Sequence, residues 1–250
     1  MVLSANLRHG WPLHRHLAER LEGLAQMVEA EGANVLLLQE VARTADLRAD
    51  EWLAGRLGMG YLYCRVNGHR DSIGFEEGLA VFARFPVLSH QTRRMGSLGG
   101  LAHRLALGAK LYTRAGLLWV FSVHLSLRRR RNARQVSDLQ AWVSDVAGNA
   151  SAVVGGDFNA HETAPHMLHA RRTWLDLFRH VHPHGDGTTH ALRWPWGSTL
   201  RRQRLDYLFL HQGQPDWHVV ESRRLCWVAS SGADHDAVVA RLRPTRSGHA

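Results

Sequence analysis

The chain has 250 residues, of which 45% are hydrophobic and 21% are charged, a composition typical of a folded globular protein and not of a disordered one. Its 31 lysines and arginines exceed its 22 acidic residues by nine, which favours anionic partners such as nucleic acid, phosphate esters or an anionic membrane surface, although a GC-rich genome would produce the same arginine usage. Two cysteines without a CxxC pair exclude a zinc knuckle or a disulfide framework as the organising feature.

The expected location and domain organisation follow from segments that the sequence lacks. It shows no secretory signal and no apolar run near the ~18 residues of a membrane span, so we expect a cytoplasmic protein. No low-complexity linker interrupts it, so we expect one domain over residues 1–243 and a flexible tail over 244–250. No obligate protein partner is indicated.

Short apolar runs and helical periodicities alternate in the first quarter of the chain, and consecutive strands dominate later. This order predicts two packed sheets with helices outside. The predicted strands are 2–6, 34–38, 61–64, 78–83, 104–112, 117–125, 152–154, 205–210, 219–225 and 237–241. The predicted helices are 14–31, 45–57, 132–147 and 165–180.

Polar side chains repeatedly follow the ends of these apolar runs. Buried strands do not carry carboxylates unless these are paired or metal-bound, and sites in layered α/β folds form at strand ends. Oxygen ligands without cysteine suit Mg²⁺ or Mn²⁺, and histidines beside carboxylates suit proton transfer near neutral pH. Together with the basic charge, they predict attack of water on a phosphate ester. The residues are Asn6, Glu40, His124, Asp157, Asn159, Asp206, Asp234 and His235.

Seven segments, spread in order from Asn6 to His235, resemble the motifs of the endonuclease/exonuclease/phosphatase superfamily. This superfamily includes pancreatic-type deoxyribonucleases, apurinic-site endonucleases, sphingomyelinases and inositol-polyphosphate 5-phosphatases. The resemblance implies an α+β fold, a four-layer αββα sandwich with two mixed sheets between helices. The segments are SAN at 4–6, LQEV at 38–41, EG at 77–78 with FARFP at 82–86, SVHL at 122–125, GDFNA at 156–160, RLDY at 204–207 and ADH at 233–235.

The resemblance also implies a metal site and a phosphate contact. Glu40 is expected to be the principal Mg²⁺ ligand, with Mn²⁺ as a substitute. Asn6 is expected beside it and Asp234 at or near the metal. His124, held by Glu77, is expected to contact the scissile phosphate.

The attacking water is expected on the other side of the phosphate. By resemblance, His235 is the acid–base histidine, oriented by Asp206. Asp157 orients or deprotonates the nucleophile, and Asn159 hydrogen-bonds the phosphoryl oxygens. From the sequence alone, Asp157 and Asn159 can also be read as caps of the following helix.

Three positions depart from the family pattern. Ala233 replaces a serine and removes one hydroxyl, Asp236 adds a negative charge after His235, and Ser122 begins the segment in which the family has threonine. None of them removes a residue to which the resemblance assigns a role.

Basic and aromatic residues near these motifs are candidates for substrate contact. Arg128 and Arg131 belong to a run of four arginines directly after the His124 strand, which is either a solvated face or a site for flanking phosphates. Arg104 is a further candidate for phosphate contact. Trp194 and Trp196, in a loop with proline and glycine, either fill the core, stack on bases or enter a lipid interface.

These observations predict a Mg²⁺-dependent phosphodiesterase that acts on nucleic acid through metal- and histidine-assisted attack of water. Two alternatives remain open at this point. One is a sphingomyelinase-like or other lipid or small-molecule phosphodiesterase or phosphatase. The other is a degenerate module that binds phosphate without catalysis.

Overall fold

The computed structural model describes residues 1–10, 15–96, 104–193, 199–227 and 233–245. Its elements follow in the order β1 (Val2–Asn6), α1 (Leu17–Glu31), β2 (Val35–Thr44), α2 (Ala49–Leu57), β3 (Gly60–His69), α3 (Arg70–Ile73), β4 (Phe75–Ala83), β5 (Val87–Arg94), β6 (Leu105–Thr113), β7 (Gly116–His124), α4 (Arg129–Ala147), β8 (Ala152–Asp157), α5 (Pro165–Ala170), β9 (Leu175–Asp176), α6 (Leu177–Val181), β10 (His190–Arg193), β11 (Thr199–Gln203), β12 (Asp206–His211), β13 (Trp217–Leu225) and β14 (Ala237–Pro244).

Two six-stranded mixed sheets form the middle of the molecule. The first sheet has the order β13-β14-β1-β2-β4-β3, and the second has the order β5-β6-β7-β8-β12-β9. Each sheet contains one parallel pair, β1 with β2 and β7 with β8. Strands β10 and β11 form a separate hairpin.

The apolar residues form three buried clusters that correspond to the interfaces between four layers. Residues such as Leu37 and Val153 lie between the two sheets. Leu21 and Leu24 of α1 pack on the outer face of the first sheet, and Leu139 of α4 packs on the outer face of the second. The predicted αββα sandwich is therefore confirmed.

The predicted helix over 165–180 is wrong, because the segment divides into α5, β9 and α6. Asp176 accepts a hydrogen bond from the backbone nitrogen of Arg179 and caps α6. Its carboxylate also accepts two hydrogen bonds from Arg204, at 2.6 and 2.8 Å, and both side chains are buried. A contact between residues 28 positions apart therefore overrides the local helical pattern.

The same buried arginine reaches a second carboxylate. Arg204 lies 3.2 Å from Glu162, which also accepts hydrogen bonds from Arg179. The hydrogen bond from Arg179, opposed by burial and assisted by the charge of Arg204, lowers the pKa of Glu162 from 4.5 to about 2. This network fastens α6 to the start of β12.

Other sequence predictions differ from the structure in detail. Strand β5 and the hairpin β10–β11 have no counterpart among the predicted elements. Strand β14 extends to Pro244, one residue beyond the predicted domain boundary, and the single-domain boundary itself stays a prediction. Within the described ranges, no helix is both long enough and apolar enough to cross a membrane.

Candidate active site

Three predicted site residues lie side by side on adjacent strands of the second sheet. His124 ends β7, Asp157 ends β8 and Asp206 begins β12. The register pairs His124 with Asp157 and Asp157 with Asp206. Residues in register across neighbouring strands project to the same face, so the sequence positions 124, 157 and 206 become one polar row.

The two glycines before Asp157 permit this close arrangement. Gly156 has a φ of 152°, and a Cβ atom there would lie 1.9 Å from the backbone oxygen of Val123. A Cβ at Gly155 would lie 2.7 Å from the side chain of Leu37 in the other sheet. The paired glycines therefore let β8 pass close to both β7 and the first sheet just before the site.

The first sheet contributes Asn6 and Glu40 to the same place. The Nδ2 atom of Asn6 donates to Glu40 Oε1 at 3.1 Å and to Asp157 Oδ2 at 3.2 Å. Glu40 occupies a β-bulge in β2 with a φ of 52°, a conformation that non-glycine residues rarely adopt. Such outliers often occur at functional sites, and here the bulge turns the carboxylate toward Asn6.

A buried hydrogen bond joins the two sheets beneath these residues. The side chain of Gln39 donates to Ser122 Oγ at 3.1 Å, and Ser122 donates to the backbone oxygen of Leu38 at 3.0 Å. The hydroxyl at position 122 thus fixes the strand that ends in His124 against the strand that carries Glu40.

Asp157 is the central carboxylate of the site. Its oxygens accept hydrogen bonds from the backbone and the side chain of Asn159, at 2.8 and 3.2 Å. Burial, opposed by the charge of His235 and assisted by those of Asp206 and Glu40, raises the pKa of Asp157 to about 7. The reading of Asp157 and Asn159 as helix caps is wrong, because the next helix begins at Pro165.

His235 lies between two carboxylates. Its Nδ1 atom is 2.9 Å from Asp206 Oδ2, and its Nε2 atom is 4.0 Å from Asp157 Oδ2. Burial alone would lower the pKa of His235, but the charge and hydrogen bond of Asp206, with the charges of Asp157 and Asp234, raise it to about 10. The ring of His190 lies against it, with centroids 4.6 Å apart.

His124 has a different partner from the one expected. Arg104 Nη1 lies 3.2 Å from His124 Nδ1, and because a guanidinium only donates, Nδ1 must accept. Burial, with the neighbouring charge of Arg104, lowers the pKa of His124, so the neutral ring carries its proton on Nε2. Glu77 instead accepts a 2.6 Å hydrogen bond from Asn67, and the expected pairing of Glu77 with His124 is not observed.

Asp234 sits at the exposed margin of the site. It lies 3.3 Å from Arg8 Nε, and the backbone nitrogen of Arg8 donates to Asn6 Oδ1. Among the described residues, Arg8 thus connects Asp234 to Asn6, and the position of Asp234 at or near the metal stays a prediction.

The negative charge of the site fits a hard cation. Burial and the charge of Glu40 raise the pKa of both Asp157 and Glu77, as expected where carboxylates crowd together without enough positive charge. Asp157, Asp206 and His235 offer ligand atoms within 4.8 Å of one another. The group of Asn6, Glu40 and Asp157 suits a hard divalent cation better, because its possible ligand atoms are carboxylate and amide oxygens without an imidazole.

The candidates for substrate contact are distributed unevenly. Arg128 and Arg131 are exposed at the start of α4, whereas Arg104 directly precedes β6 and contacts His124. Trp194 and Trp196 lie outside the described residues.

Sequence reasoning missed two histidines that the fold brings to the site. His9 donates its backbone N–H to Glu40 Oε2 at 3.1 Å, and its ring nitrogen lies 3.4 Å from the same oxygen. His190 forms a β-bridge with His235. The only sequence signal for His9 is its position three residues after Asn6, and none singles out His190 among 18 histidines.

Comparison with solved structures shows a shared fold across almost the whole chain, although no curated protein sequence matches it. An endonuclease/exonuclease/phosphatase family protein from Leptotrichia buccalis is 17% identical with a TM-score of 0.76, covering 97% of this chain and 98% of that one. The human Nocturnin catalytic domain with bound sulfate is 19% identical with a TM-score of 0.74, covering 98% and 94%. Mannosyl-6-phosphatase from Bacteroides thetaiotaomicron is 19% identical with a TM-score of 0.69, covering 97% and 98%.

A sequence-family model gives the assignment that these low identities do not. The model of the Endonuclease/Exonuclease/phosphatase family matches residues 3–235, which include both the first and the last of the polar strand ends. Members of this family are metal-dependent hydrolytic phosphoesterases. The chain belongs to the endonuclease/exonuclease/phosphatase family and is a hydrolytic phosphoesterase.

Proposed function

We propose that the protein is a Mg²⁺-dependent phosphodiesterase that cleaves nucleic acid by attack of water on phosphorus. The observation that carries this proposal is the position of Asp157. Its carboxylate lies 3.2 Å from Asn6, 3.5 Å from His124 and 4.0 Å from His235, so one oxygen-rich centre faces two imidazoles. Hydrolysis of a phosphodiester needs both kinds of group, one for charge and one for proton transfer.

The metal would be held by Glu40, Asn6 and Asp157. A hard divalent ion bound there would polarise a phosphoryl oxygen and stabilise the charge that develops during attack. Asn6 joins the two carboxylates through a single nitrogen, which keeps them together. The contact of His9 with Glu40 restricts the glutamate to one orientation.

His235 and Asp157 would position the attacking water. Asp206 accepts the Nδ1 proton of His235, which leaves Nε2 directed toward Asp157. The 4.0 Å between Nε2 and the carboxylate oxygen is a separation that one water can bridge. As the oxygen of this water bonds to phosphorus, its proton would pass to the pair of Asp157 and His235, and the bond from phosphorus to the leaving ester oxygen would break. The leaving oxygen would take up a proton from solvent.

The phosphoryl oxygens would be bound by His124 and Asn159. His124 Nδ1 accepts from Arg104, so its Nε2 proton is the one available to an oxyanion. Asn159 has a φ of 50°, and its two amide hydrogens are donated to Asp157 Oδ2 and to the backbone oxygen of Leu125, so one of these hydrogen bonds would be exchanged for the phosphoryl oxygen when substrate binds. Preorganised donors of this kind stabilise developing negative charge.

Nucleic acid is the proposed substrate because of the excess of nine positive charges and the arginines that follow His124. The human Nocturnin catalytic domain, which has a similar fold, carries a bound sulfate, a tetrahedral anion like phosphate.

The test compares turnover with Mg²⁺, Mn²⁺ or EDTA on plasmid DNA, an abasic-site duplex, RNA, sphingomyelin and inositol phosphates. We expect metal-dependent cleavage of a nucleic acid that is lost in Asp157→Ala and kept in Asp138→Ala, an exposed aspartate on α4. Activity that persists in EDTA or in Asp157→Ala would refute the proposed mechanism. Turnover of sphingomyelin or an inositol phosphate alone would refute the proposed substrate.

A further inference from the structure

Six exposed arginines lie on one side of the candidate site, and we call them the basic track. In the described part of the chain none of them forms an ion pair, whereas arginines such as Arg43, Arg56, Arg179 and Arg204 all do. The track consists of Arg93, Arg128, Arg129, Arg130, Arg131 and Arg134.

The position of the basic track at the start of α4 does not stabilise this helix. The helix begins at Arg129 and has no acidic residue in its first turn, so four arginines adjoin the positive end of the helix dipole. Cations at this end destabilise a helix, and an anion placed there stabilises it. A partner with negative charge would offset the unfavourable interaction.

Buried polar side chains fix the start of α4 against the active-site loops. Asn132 Nδ2 donates to the backbone oxygens of Ser126 and Phe158, at 2.7 and 2.6 Å. Gln135 accepts from the backbone nitrogen of Ser126 and donates to the backbone oxygen of Met95. Since Asn132 and Gln135 are only 1% and 4% exposed, they hold this part of the track rigidly beside the loop that follows His124.

Strand β5 extends the track beyond the helix. Arg93 pairs with Ala106 of β6, which pairs with Val123 of β7, so the three residues share a face of the sheet. Ala106 and Val123 pack in the cluster below α4, so Arg93 is on the α4 side. Two strand spacings put its backbone roughly 10 Å from β7.

We propose that the basic track binds backbone phosphates of nucleic acid on one side of the scissile phosphate. The inference rests on the proposed function and adds the path that the bound nucleic acid follows, from His124 across the start of α4 to Arg93. A membrane fits less well, because Leu127 is the one large exposed apolar side chain among the described residues between His124 and the end of α4.

The binding test uses a 16-base-pair duplex in EDTA, which prevents turnover, with salt varied. Arg93→Gln/Arg134→Gln is compared with Arg114→Gln/Arg172→Gln, which removes two exposed arginines that lie outside the track and form no ion pair in the described ranges. The slope of log Kobs against log salt concentration is negative, and each lost phosphate contact reduces its magnitude by about 1. The magnitude of the slope should therefore be smaller by about 2 in the track variant than in the wild type. The control variant should keep the wild-type slope. Equal losses in both variants would overturn the proposal, because net charge alone would explain them.

Two further measurements separate the track from the proposed function. On a set of oligonucleotides from 2 to 16 nucleotides, kcat/KM of the wild type and the control should rise with length, and the track variant should lose most of that rise. A wild type that hydrolyses phosphodiesters but binds no duplex overturns the track alone. A wild type that binds with the expected slope but cleaves no nucleic acid overturns the proposed substrate and keeps the track. Binding to phosphatidylserine vesicles without duplex binding overturns the track in favour of a membrane.

Discussion

The buried arginine of the RLDY segment offers the sharpest test of how the structure supports the site. Arg204 is 3% exposed, contacts Asp176 through two hydrogen bonds and lies two residues before Asp206. We expect Arg204→Met to destabilise the fold strongly, because the change keeps most of the side-chain volume but leaves the buried carboxylate of Asp176 without its main counter-charge.

The magnitude follows from the remaining contacts. Removal of one partner from a buried ion pair costs about 3–5 kcal/mol. Arg171 lies 3.6 Å from Asp176 and compensates part of the charge, so we expect the lower end of this range. At roughly 2–4 °C per kcal/mol for a domain of this size, the melting temperature should fall by roughly 6–12 °C.

Urea unfolding followed by circular dichroism measures this loss, and a second substitution isolates its cause. Asp176→Asn removes the charge but keeps an oxygen to cap α6. If the uncompensated carboxylate is the cause, Arg204→Met/Asp176→Asn should be more stable than Arg204→Met by about 1–2 kcal/mol. The reasoning is refuted if Arg204→Met costs less than about 1 kcal/mol, or if the double variant is the less stable of the two.

Three other changes test separate parts of the structure. Gly156→Ala would place a Cβ atom 1.9 Å from a carbonyl oxygen of β7 and should abolish soluble expression. The control Gly55→Ala lies in an open position on α2 and should be neutral or raise stability by up to about 1 kcal/mol. Thermal melts compare the two variants, and a Gly156→Ala protein of normal stability contradicts the geometry. Asp206→Asn should lower kcat by about 10²- to 10⁴-fold, because His235 loses its charged hydrogen-bond acceptor. Near-UV circular dichroism should show an intact fold. A kcat within threefold of the wild type would contradict the role of Asp206. The pKa of Glu162 is lowered from 4.5 to about 2 in the folded protein, so its contribution to stability is present above pH 4.5 and is lost as pH falls toward 2. Glu162→Gln should therefore flatten the pH dependence of the free energy of unfolding in urea between pH 4.5 and 2. An unchanged pH dependence would contradict the ion-pair network.

The strand ends of the second sheet could be predicted from sequence, because the signal there is local. The run SAVVGGDFNA predicted a buried strand that delivers Asp157 and Asn159, and β8 ends at Asp157. Apolar runs indicate buried strands, and glycines indicate places where two backbones lie close together or the chain turns tightly. The same reasoning located Glu40, although nothing in the run of apolar residues before it indicated the bulge and the positive φ that aim its side chain.

Partners that depend on long-range packing could not be predicted in the same way. The expected contact between Glu77 and His124 came from family resemblance, and the structure pairs these side chains with Asn67 and Arg104 instead. Which neighbour a side chain meets depends on rotamers and on strand register, and neither is encoded within a few residues. His190 reaches the site only because its hairpin bridges to the segment before β14.

The candidate site is divided between the two sheets, and its members span the chain from Asn6 to His235. During synthesis, β14 is made long after its antiparallel neighbour β1. Chains in which β14 is not yet made would therefore contain Asn6 and Glu40 but lack the imidazole at position 235. The imidazole at position 235 lies just before β14, so it joins the carboxylate of Glu40 only when this strand has paired with β1.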